Sequence, residues 1–214
     1  WRRRLNARLL GHGVAAGLCY SVHFGAWVWS LELTSVAASV TLVTATPLLL
    51  GVWALVTGRD RPSRRHWGSI GVAVIGLAVI ALANGSESGP LIGDALALLG
   101  AAGMAAYLLV ARRLGTFDVW VFSGVAVAVA SAILLGTAIA AGIPPRPVSV
   151  EAFGWLVLAA LIPQLVGHTL MTWAVRHAPP VVVGIATVGE PVGATVISWL
   201  WLGETVGGMV AVGC

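Results

Sequence analysis

Long apolar stretches, separated by short polar or proline-rich connections, follow one another along the whole chain. About 20 apolar residues in a helix cross a hydrocarbon core of about 30 Å, and most of these stretches are that long. The pattern therefore predicts an all-α, polytopic transmembrane helix bundle. Seven spans are predicted, at about residues 11–31, 33–56, 67–83, 93–111, 117–141, 152–175 and 179–202, and the start of an eighth near residue 205.

The last complete span, APPVVVGIATVGEPVGATVISWLWLGE, carries a carboxylate near its centre, Glu190. An acid at the bilayer midplane costs about 2.5–3.5 kcal/mol, so Glu190 is expected to face protein or a water-filled cavity. Pro191 follows directly and is expected to bend the helix, and Thr187 shares the helical face of Glu190. Two interpretations stay open. Glu190 pairs with a substrate ammonium or a proton, or it is a protonated scaffold residue bonded to a carbonyl that the proline frees.

Two other spans carry polar and aromatic residues at similar depth. Tyr20, His23 and Trp27 share one face of the first span, and Gln164 and His168 share one face of the sixth. Such faces suit an amino acid or aromatic ligand through stacking and cation–π contacts, with packing between helices as the alternative. No close pair of metal ligands occurs within one span, so neither a metal nor another cofactor is expected.

Small and hydroxyl residues in the spans have simpler expected roles. Threonine hydroxyls near Pro47 are expected to bond to carbonyls of their own helix. Several glycines are expected to be points of close helix packing. The residues concerned are Thr41, Thr44 and Thr46, and Gly13, Gly17 and Gly100.

Composition and charge narrow the class of protein. The chain is 58% hydrophobic and only 9% charged, with a mean hydropathy of +0.95, which excludes an ordinary soluble domain. All 12 basic residues are arginines, which we interpret as a bacterial coding bias. They stand in short runs between apolar spans and not on one solvated face, so no nucleic acid partner is expected. All but Arg146 fall in alternate connections, which predicts that residue 1 is cytoplasmic.

A weak internal repeat relates the two parts of the chain. Aligning Trp29 with Trp173 also aligns Pro47 with Pro191, and it matches loops that lie on opposite sides of the membrane. That is the signature of an inverted-topology repeat. The expected arrangement is five plus five helices, with about seven and a half spans present. Residues 1–83 would then hold helices 3–5 of the first repeat, and residues 93–214 helices 6–10 of the second, the last truncated.

The sequence resembles the drug/metabolite transporter superfamily, specifically its EamA-type ten-helix transporters. The resemblance rests on TSVAASVTLVTATPLLLGVWALV and SRRHWGSIGVAVIGLAVI, and on the span that contains Glu190. One departure is that Gly58 is followed by Arg59, where the family usually has Gly-Glu. The resemblance implies a multi-pass carrier of the bacterial plasma membrane that exports small metabolites through a cavity between its two halves.

The resulting hypothesis is a secondary transporter that works by alternating access, with the lipid bilayer and a small-molecule substrate as its partners. Its substrate-binding candidates are Glu190, His23, Tyr20, Trp27, Gln164, His168 and Thr187. Proton coupling through Glu190 and His23 is the mechanistic hypothesis. An intramembrane enzyme is the main alternative, although the sequence has no catalytic motif for it. A non-transporting scaffold is another, although the connections are short. The sequence leaves the oligomeric state open.

Overall fold

Every regular element in the described part of the chain is helical. The computed structural model describes residues 6–83, 91–144, 146–147, 149–203 and 205–213, without the side chains of residues 36–37, 80–83, 194, 198 and 202. The α-helices are α1 (Ala7–Leu31), α2 (Val36–Val43), α3 (Thr46–Thr57), α4 (Arg64–Ala83), α5 (Leu91–Leu114), α6 (Val119–Ala140), α7 (Val150–Ala159), α8 (Thr169–Ala174), α9 (Pro180–Thr187), α10 (Gly189–Ile197) and α11 (Gly208–Gly213). Two π-helical segments, Ala160–His168 and Ser198–Leu202, follow α7 and α10.

Six helical stretches of the described residues are long and apolar enough to cross a membrane. They coincide with six of the seven predicted spans, and α4 lies where the remaining one, the third, was predicted. The prediction of a polytopic helical bundle is therefore confirmed. The six stretches are Ala7–Leu31, Ala38–Thr57, Leu91–Leu114, Val119–Ala140, Val150–Ala174 and Pro180–Trp201.

Glycines in the left-handed conformation follow both spans that the predicted repeat would relate. Gly58 has a φ of 70° and ends α3, and Gly203 has a φ of 67° after the π-helical segment of the seventh span. A residue without Cβ adopts this conformation at little cost, so glycine is the usual residue after a helix end. Gly58 therefore ends its helix without the glutamate that the family usually has next to it.

Three of the predicted spans are interrupted helices. The second pauses between α2 and α3 next to Pro47, where Thr44 Oγ1 donates to the carbonyl of Val40 at 2.8 Å and Thr46 Oγ1 to that of Val43 at 3.2 Å. The prediction of a bond to a carbonyl of the same helix is confirmed for Thr44, whereas Thr46 Oγ1 also donates to the Ala101 carbonyl of α5 at 3.4 Å and the bond of Thr41 stays a prediction. The sixth span changes to π-helix around Pro163, because proline lacks the N–H that an α-helix needs. The seventh is interrupted between α9 and α10, close to the predicted bend.

The chain forms two compact units. The first unit contains Trp1–Ser21 and Ala106–Ala178, and the second contains Val22–Ala105 and Pro179–Cys214. Each unit draws on both parts of the predicted repeat. A compact unit and a sequence repeat are different properties, so the division into residues 1–83 and 93–214 stays a prediction.

In the first unit, α1 packs closely against α6 through two glycines one turn apart. A Cβ on Gly17 would lie 2.6 Å from Cβ of Val129 and 2.8 Å from the carbonyl oxygen of Ala126. A Cβ on Gly13 would lie 2.8 Å from Cγ1 of Val125. Distances this short leave no room for a side chain, so the predicted packing role of both glycines is confirmed.

The ends of α5 and α8 are joined in the same unit by Arg112. Its Nη1 donates to the carbonyl of Val175 at 3.2 Å and to that of Arg176 at 3.4 Å. A cation next to the last carbonyls of a helix also interacts favourably with the helix dipole. The guanidinium of Arg176 lies 5.4 Å from the ring centre of Phe117. This end of the unit is therefore held by charge-assisted contacts.

In the second unit, the two spans that the predicted repeat would relate pack on each other. A Cβ on Gly184 of α9 would lie 3.2 Å from Cα of Pro47 and 3.1 Å from Cδ1 of Leu50, both in α3. Close contact at α4 involves α11, since a Cβ on Gly76 would lie 2.5 Å from the carbonyl oxygen of Gly213. Small residues at these points let the helix backbones approach.

Candidate functional site

Five residues of the first unit form a polar and aromatic group, the tyrosine cluster: the buried Tyr20, Tyr107 and Thr172, and the half-buried Gln164 and His168. The Tyr20 and Tyr107 rings are stacked, with centroids 3.9 Å apart and planes 8° from parallel. The His168 ring meets Tyr20 edge-on at 5.7 Å, and the Tyr20 hydroxyl lies beside the side chains of Gln164 and Thr172. The three residues predicted here, Tyr20, Gln164 and His168, are thus brought together.

The hydrogen bonds of the tyrosine cluster have assignable donors and acceptors. Thr172 Oγ1 donates to the His168 carbonyl at 2.8 Å, and the Tyr107 hydroxyl lies 2.6 Å from Thr172 Oγ1. A carbonyl only accepts and a hydroxyl has one hydrogen, so Tyr107 must be the donor to Thr172. His168 Nδ1 lies 3.0 Å from the Pro163 carbonyl, which makes Nδ1 the nitrogen that carries the hydrogen. The cluster is an ordered chain of donors and acceptors.

The histidine–tryptophan pair, His23 and Trp27, lies in the second unit. Their rings are 6.0 Å apart with an angle of 21° between the planes. The His23 side chain is only 6% exposed, and its Nδ1 donates to the Gly100 carbonyl of α5 at 2.8 Å. Both residues also line α5 closely, because a Cβ on Gly100 would lie 3.2 Å from the His23 carbonyl and 3.3 Å from Cβ of Trp27. The expected packing role of Gly100 is confirmed.

One hydrogen-bond donor of the histidine–tryptophan pair has no acceptor among the described residues. The indole Nε1 of Trp27 is buried and finds no hydrogen-bond partner among the described residues. A buried donor without an acceptor costs about 1–3 kcal/mol, so such a group calls for an explanation. The Nδ1 of His23 is committed to Gly100, which leaves Nε2 as the nitrogen that can take up a proton.

Glu190 and Thr187 lie on either side of the interruption in the seventh span. Thr187 Oγ1 donates to the Gly184 carbonyl of its own helix at 2.7 Å, which commits its hydrogen. Glu190 is an exposed side chain in the first turn of α10. The unpaired N–H groups of a first helical turn favour a negative charge, so the interruption gives the carboxylate a more favourable setting than the middle of a helix.

The predicted site residues therefore divide between the two units. Tyr20, Gln164 and His168 belong to the first, and His23, Trp27, Thr187 and Glu190 belong to the second. Within the units, the structure brings together the three residues of the tyrosine cluster and the histidine–tryptophan pair.

Sequence reasoning missed Tyr107 and Thr172. Tyr107 is fully buried, as is Thr172, and the two join α5 to α8. Signals for both were present in the sequence. Tyr107 is one of only two tyrosines, and Thr172 continues the helical spacing of Gln164 and His168 by one more turn.

Among the described residues, no three His, Cys, Asp or Glu side chains come close enough to hold a metal ion. A groove of about 310 Å³ in the first unit lies at the start of α1 and α6 and contains none of the predicted site residues. Its polar side chains Asn6 and Asp118 already cap these helices, accepting from the Leu9 and Trp120 N–H groups.

The fold and these buried groups define a polytopic helical membrane protein with polar residues inside its spans. A model of the EamA-like transporter family matches residues 91–214, more than half of the chain. The protein therefore belongs to the EamA-like transporter family, and it is a multi-pass membrane transporter of the drug/metabolite type. This confirms the resemblance seen in the sequence.

Comparison with solved structures supports the fold and does not identify the transported compound. A solved structure, described only as a crystal structure of a protein, has a TM-score of 0.76 and 22% sequence identity to this chain. The match covers 99% of this chain and 73% of that one. At such low identity the likeness shows the fold alone. No curated protein matches the chain.

Proposed function

We propose that the protein is a secondary transporter of the bacterial inner membrane that exports small metabolites, such as amino acids or drug-like compounds, by alternating access. The observation that carries this proposal is the pairing of family membership with polar aromatic groups buried at mid-span. Polar residues at this depth are costly, so in membrane transporters they mark substrate or ion pathways.

The cargo-binding residues are proposed to be Tyr20, His23, Trp27, Gln164, His168, Thr187 and Glu190. Aromatic rings and an imidazole suit the side chain and ammonium of an amino acid, by stacking and cation–π contact. The indole N–H of Trp27 has no acceptor in the part of the chain that the structure describes, which supports a role for that side chain in binding an acceptor group. Gln164 offers both a donor and an acceptor.

The inverted repeat of residues 1–83 and 93–214 supplies the mechanism in this proposal. One half rocks against the other and exposes the site to each side in turn. The left-handed glycines after both related spans, Gly58 and Gly203, support the repeat, as does the packing of α3 on α9. Residue 1 is proposed to be cytoplasmic, because all but one of the arginines lie in alternate connections.

Proton coupling through Glu190 and His23 is part of the same proposal. Uptake of a proton at Nε2 of His23 would charge the ring without breaking its bond to Gly100. Glu190 in the first turn of α10 would change between a charged and a neutral form as the site opens to either side.

The test is efflux from cells that express the full-length gene, preloaded with a mixture of labelled amino acids and metabolites, beside an empty-vector control. Selective loss of one compound class is the expected result. Efflux no faster than in the control across the mixture would contradict export of these compounds. An enzyme would instead change the labelled compounds chemically, and a scaffold would do neither.

Coupling is tested with Glu190→Gln, and Glu32→Gln serves as the matched control. Glu32 is an exposed acid just after the end of α1. We expect Glu190→Gln to abolish the dependence of efflux on a pH gradient, and Glu32→Gln to leave it intact. Full efflux by Glu190→Gln, or wild-type efflux that ignores the gradient, would reject coupling through Glu190.

A further inference from the structure

Tyr107 takes part in both a ring contact and a hydroxyl hydrogen bond of the tyrosine cluster, although it was no part of the predicted site. Its ring is 0% exposed and lies flat against Tyr20. Its hydroxyl donates to Thr172, whose own hydrogen goes to the His168 carbonyl. It therefore contacts one candidate cargo residue with its ring and reaches another through its hydroxyl.

We propose that Tyr107 is a positioning residue, anchored by Thr172, that holds Tyr20 and His168 in their relative orientation. The proposal rests on the proposed function, since it assigns a supporting role beneath two of the candidate cargo residues. Tyr107 is as deeply buried as Tyr20, and the supporting role is assigned to Tyr107 because its hydroxyl is committed to Thr172.

Two independent constraints act on the Tyr20 ring. Stacking with Tyr107 fixes the plane of the ring, because parallel rings at 3.9 Å leave little freedom to rotate. The edge-on contact with His168 at 90° then requires the imidazole to stand across that plane. A change in the tilt of Tyr107 would therefore be transmitted to both residues.

The hydroxyl chain fixes the backbone turn that carries His168. Thr172 Oγ1 bonds the His168 carbonyl at the point where the π-helical segment Ala160–His168 passes into α8. The Tyr107 hydroxyl of α5 donates to the same Thr172 Oγ1 atom. Through Thr172, α5 therefore holds the end of the π-helical segment. Hydrogen bonds in such a chain polarise one another, and the loss of one weakens the next.

The first experiment needs no substrate. Full-length protein in detergent is labelled with ¹⁵N-histidine, and the His168 ring signals are assigned with His168→Gln. We expect Tyr107→Phe and Thr172→Val each to shift the His168 signals by more than their line width. Thr172→Ser, which keeps the hydroxyl, should restore them. Thr137→Val is the matched control, because that exposed hydroxyl bonds only the Leu134 carbonyl of its own helix.

Unchanged His168 signals in both Tyr107→Phe and Thr172→Val would overturn the proposal. If Tyr107→Phe fails to fold, Thr172→Val takes its place, since it removes the bond from Tyr107 together with the Thr172 bond to the His168 carbonyl. The double variant should shift the signals no further than Thr172→Val alone, because Thr172→Val already removes the bond that Tyr107→Phe removes.

Transport provides the second readout, with the single labelled amino acid that gives the largest efflux signal. We expect KM to rise about three- to tenfold in Tyr107→Phe and Thr172→Val, as the loss of one buried hydrogen bond implies. The maximal rate per protein molecule should stay within about twofold. An unchanged KM with a lower amount of protein would reduce Tyr107 to a purely structural role. Wild-type protein that moves no amino acid would reject the proposed cargo, while the histidine signals still test the positioning role.

Discussion

The tyrosine cluster and the histidine–tryptophan pair are both polar groups inside membrane spans, yet they satisfy their polar atoms differently. In the tyrosine cluster, Tyr107, Thr172 and His168 form a chain in which each hydrogen has an acceptor. In the histidine–tryptophan pair, the imidazole is anchored to Gly100, but the described residues offer the Trp27 indole N–H no acceptor. Fixed acceptors for the hydrogens of Tyr107, Thr172 and His168 favour rigidity of these three residues, whereas an unused donor leaves binding capacity for another molecule.

The largest expected effect tests the packing beneath the tyrosine cluster. Gly17→Ala should lower stability by about 2–3 kcal/mol, because its Cβ meets a backbone carbonyl and a Cβ that cannot move aside. Gly100→Ala, under the histidine–tryptophan pair, should cost less, since its nearest neighbours are 3.2 Å away or more. The measurement is the midpoint of thermal unfolding in detergent.

Gly136→Ala in α6 is the control for this pair, because nothing lies within 4 Å of the new Cβ. It should leave the midpoint nearly unchanged. A Gly17→Ala protein as stable as the control would mean that α1 and α6 are less closely packed than their contacts indicate.

The next effect separates the two intramembrane histidines. His23→Leu should cost about 1–2 kcal/mol, because the buried imidazole bonds a carbonyl of another helix. His168→Leu should cost less, since His168 Nδ1 bonds the Pro163 carbonyl within its own segment. Thermal midpoints of the two variants, measured side by side, check the order. The reverse order would assign the stabilising histidine to the tyrosine cluster.

A smaller effect is expected at the end of the first unit. Arg112→Gln should cost about 1 kcal/mol, because it removes donors to the Val175 and Arg176 carbonyls at the end of α8. Arg113→Gln makes the same charge change at an exposed neighbour and should change stability by less than about 0.5 kcal/mol. Equal midpoints for the two variants would show that net charge, and not the contact with α8, sets the effect.

The smallest expected change in stability concerns the indole N–H of Trp27. Trp27→Phe removes a buried donor that has no acceptor among the described residues, so stability should stay level or rise by up to about 1 kcal/mol. If the indole N–H binds cargo, KM should rise in the same variant. Midpoint and efflux kinetics measured on one preparation test both expectations. A clear loss of stability would show that the indole N–H already has an acceptor.

Sequence alone predicted the spans well, because span length and apolar character follow directly from bilayer thickness. It also predicted which residues share a helical face, such as His23 with Trp27. It could not predict which neighbouring helix that face meets, so Tyr107 went unnoticed although it stacks on Tyr20. Helical periodicity describes one helix at a time, and the partners of a buried polar group come from packing between helices.

A bend in the seventh span was predicted from Pro191, and the span is interrupted close to that position, between Thr187 and Gly189. The π-helical segment around Pro163 was not predicted. A proline in an apolar span is compatible with a kink, a break or a wider helix, and local sequence does not choose between them. In this span the His168 side chain bonds the Pro163 carbonyl five residues back, and this bond accompanies the wider form.

The π-helical segment Ala160–His168 also bears on how this span can vary in length. In an α-helix, deleting one residue turns everything beyond it by about 100° and moves every side chain to a new face. A π-helix already holds about one residue more per turn, so a deletion within it can be absorbed by a return to α-helical bonding. Relatives one residue shorter here could keep Thr172 facing Tyr107, which makes this segment the natural position for a gap in an alignment of the span.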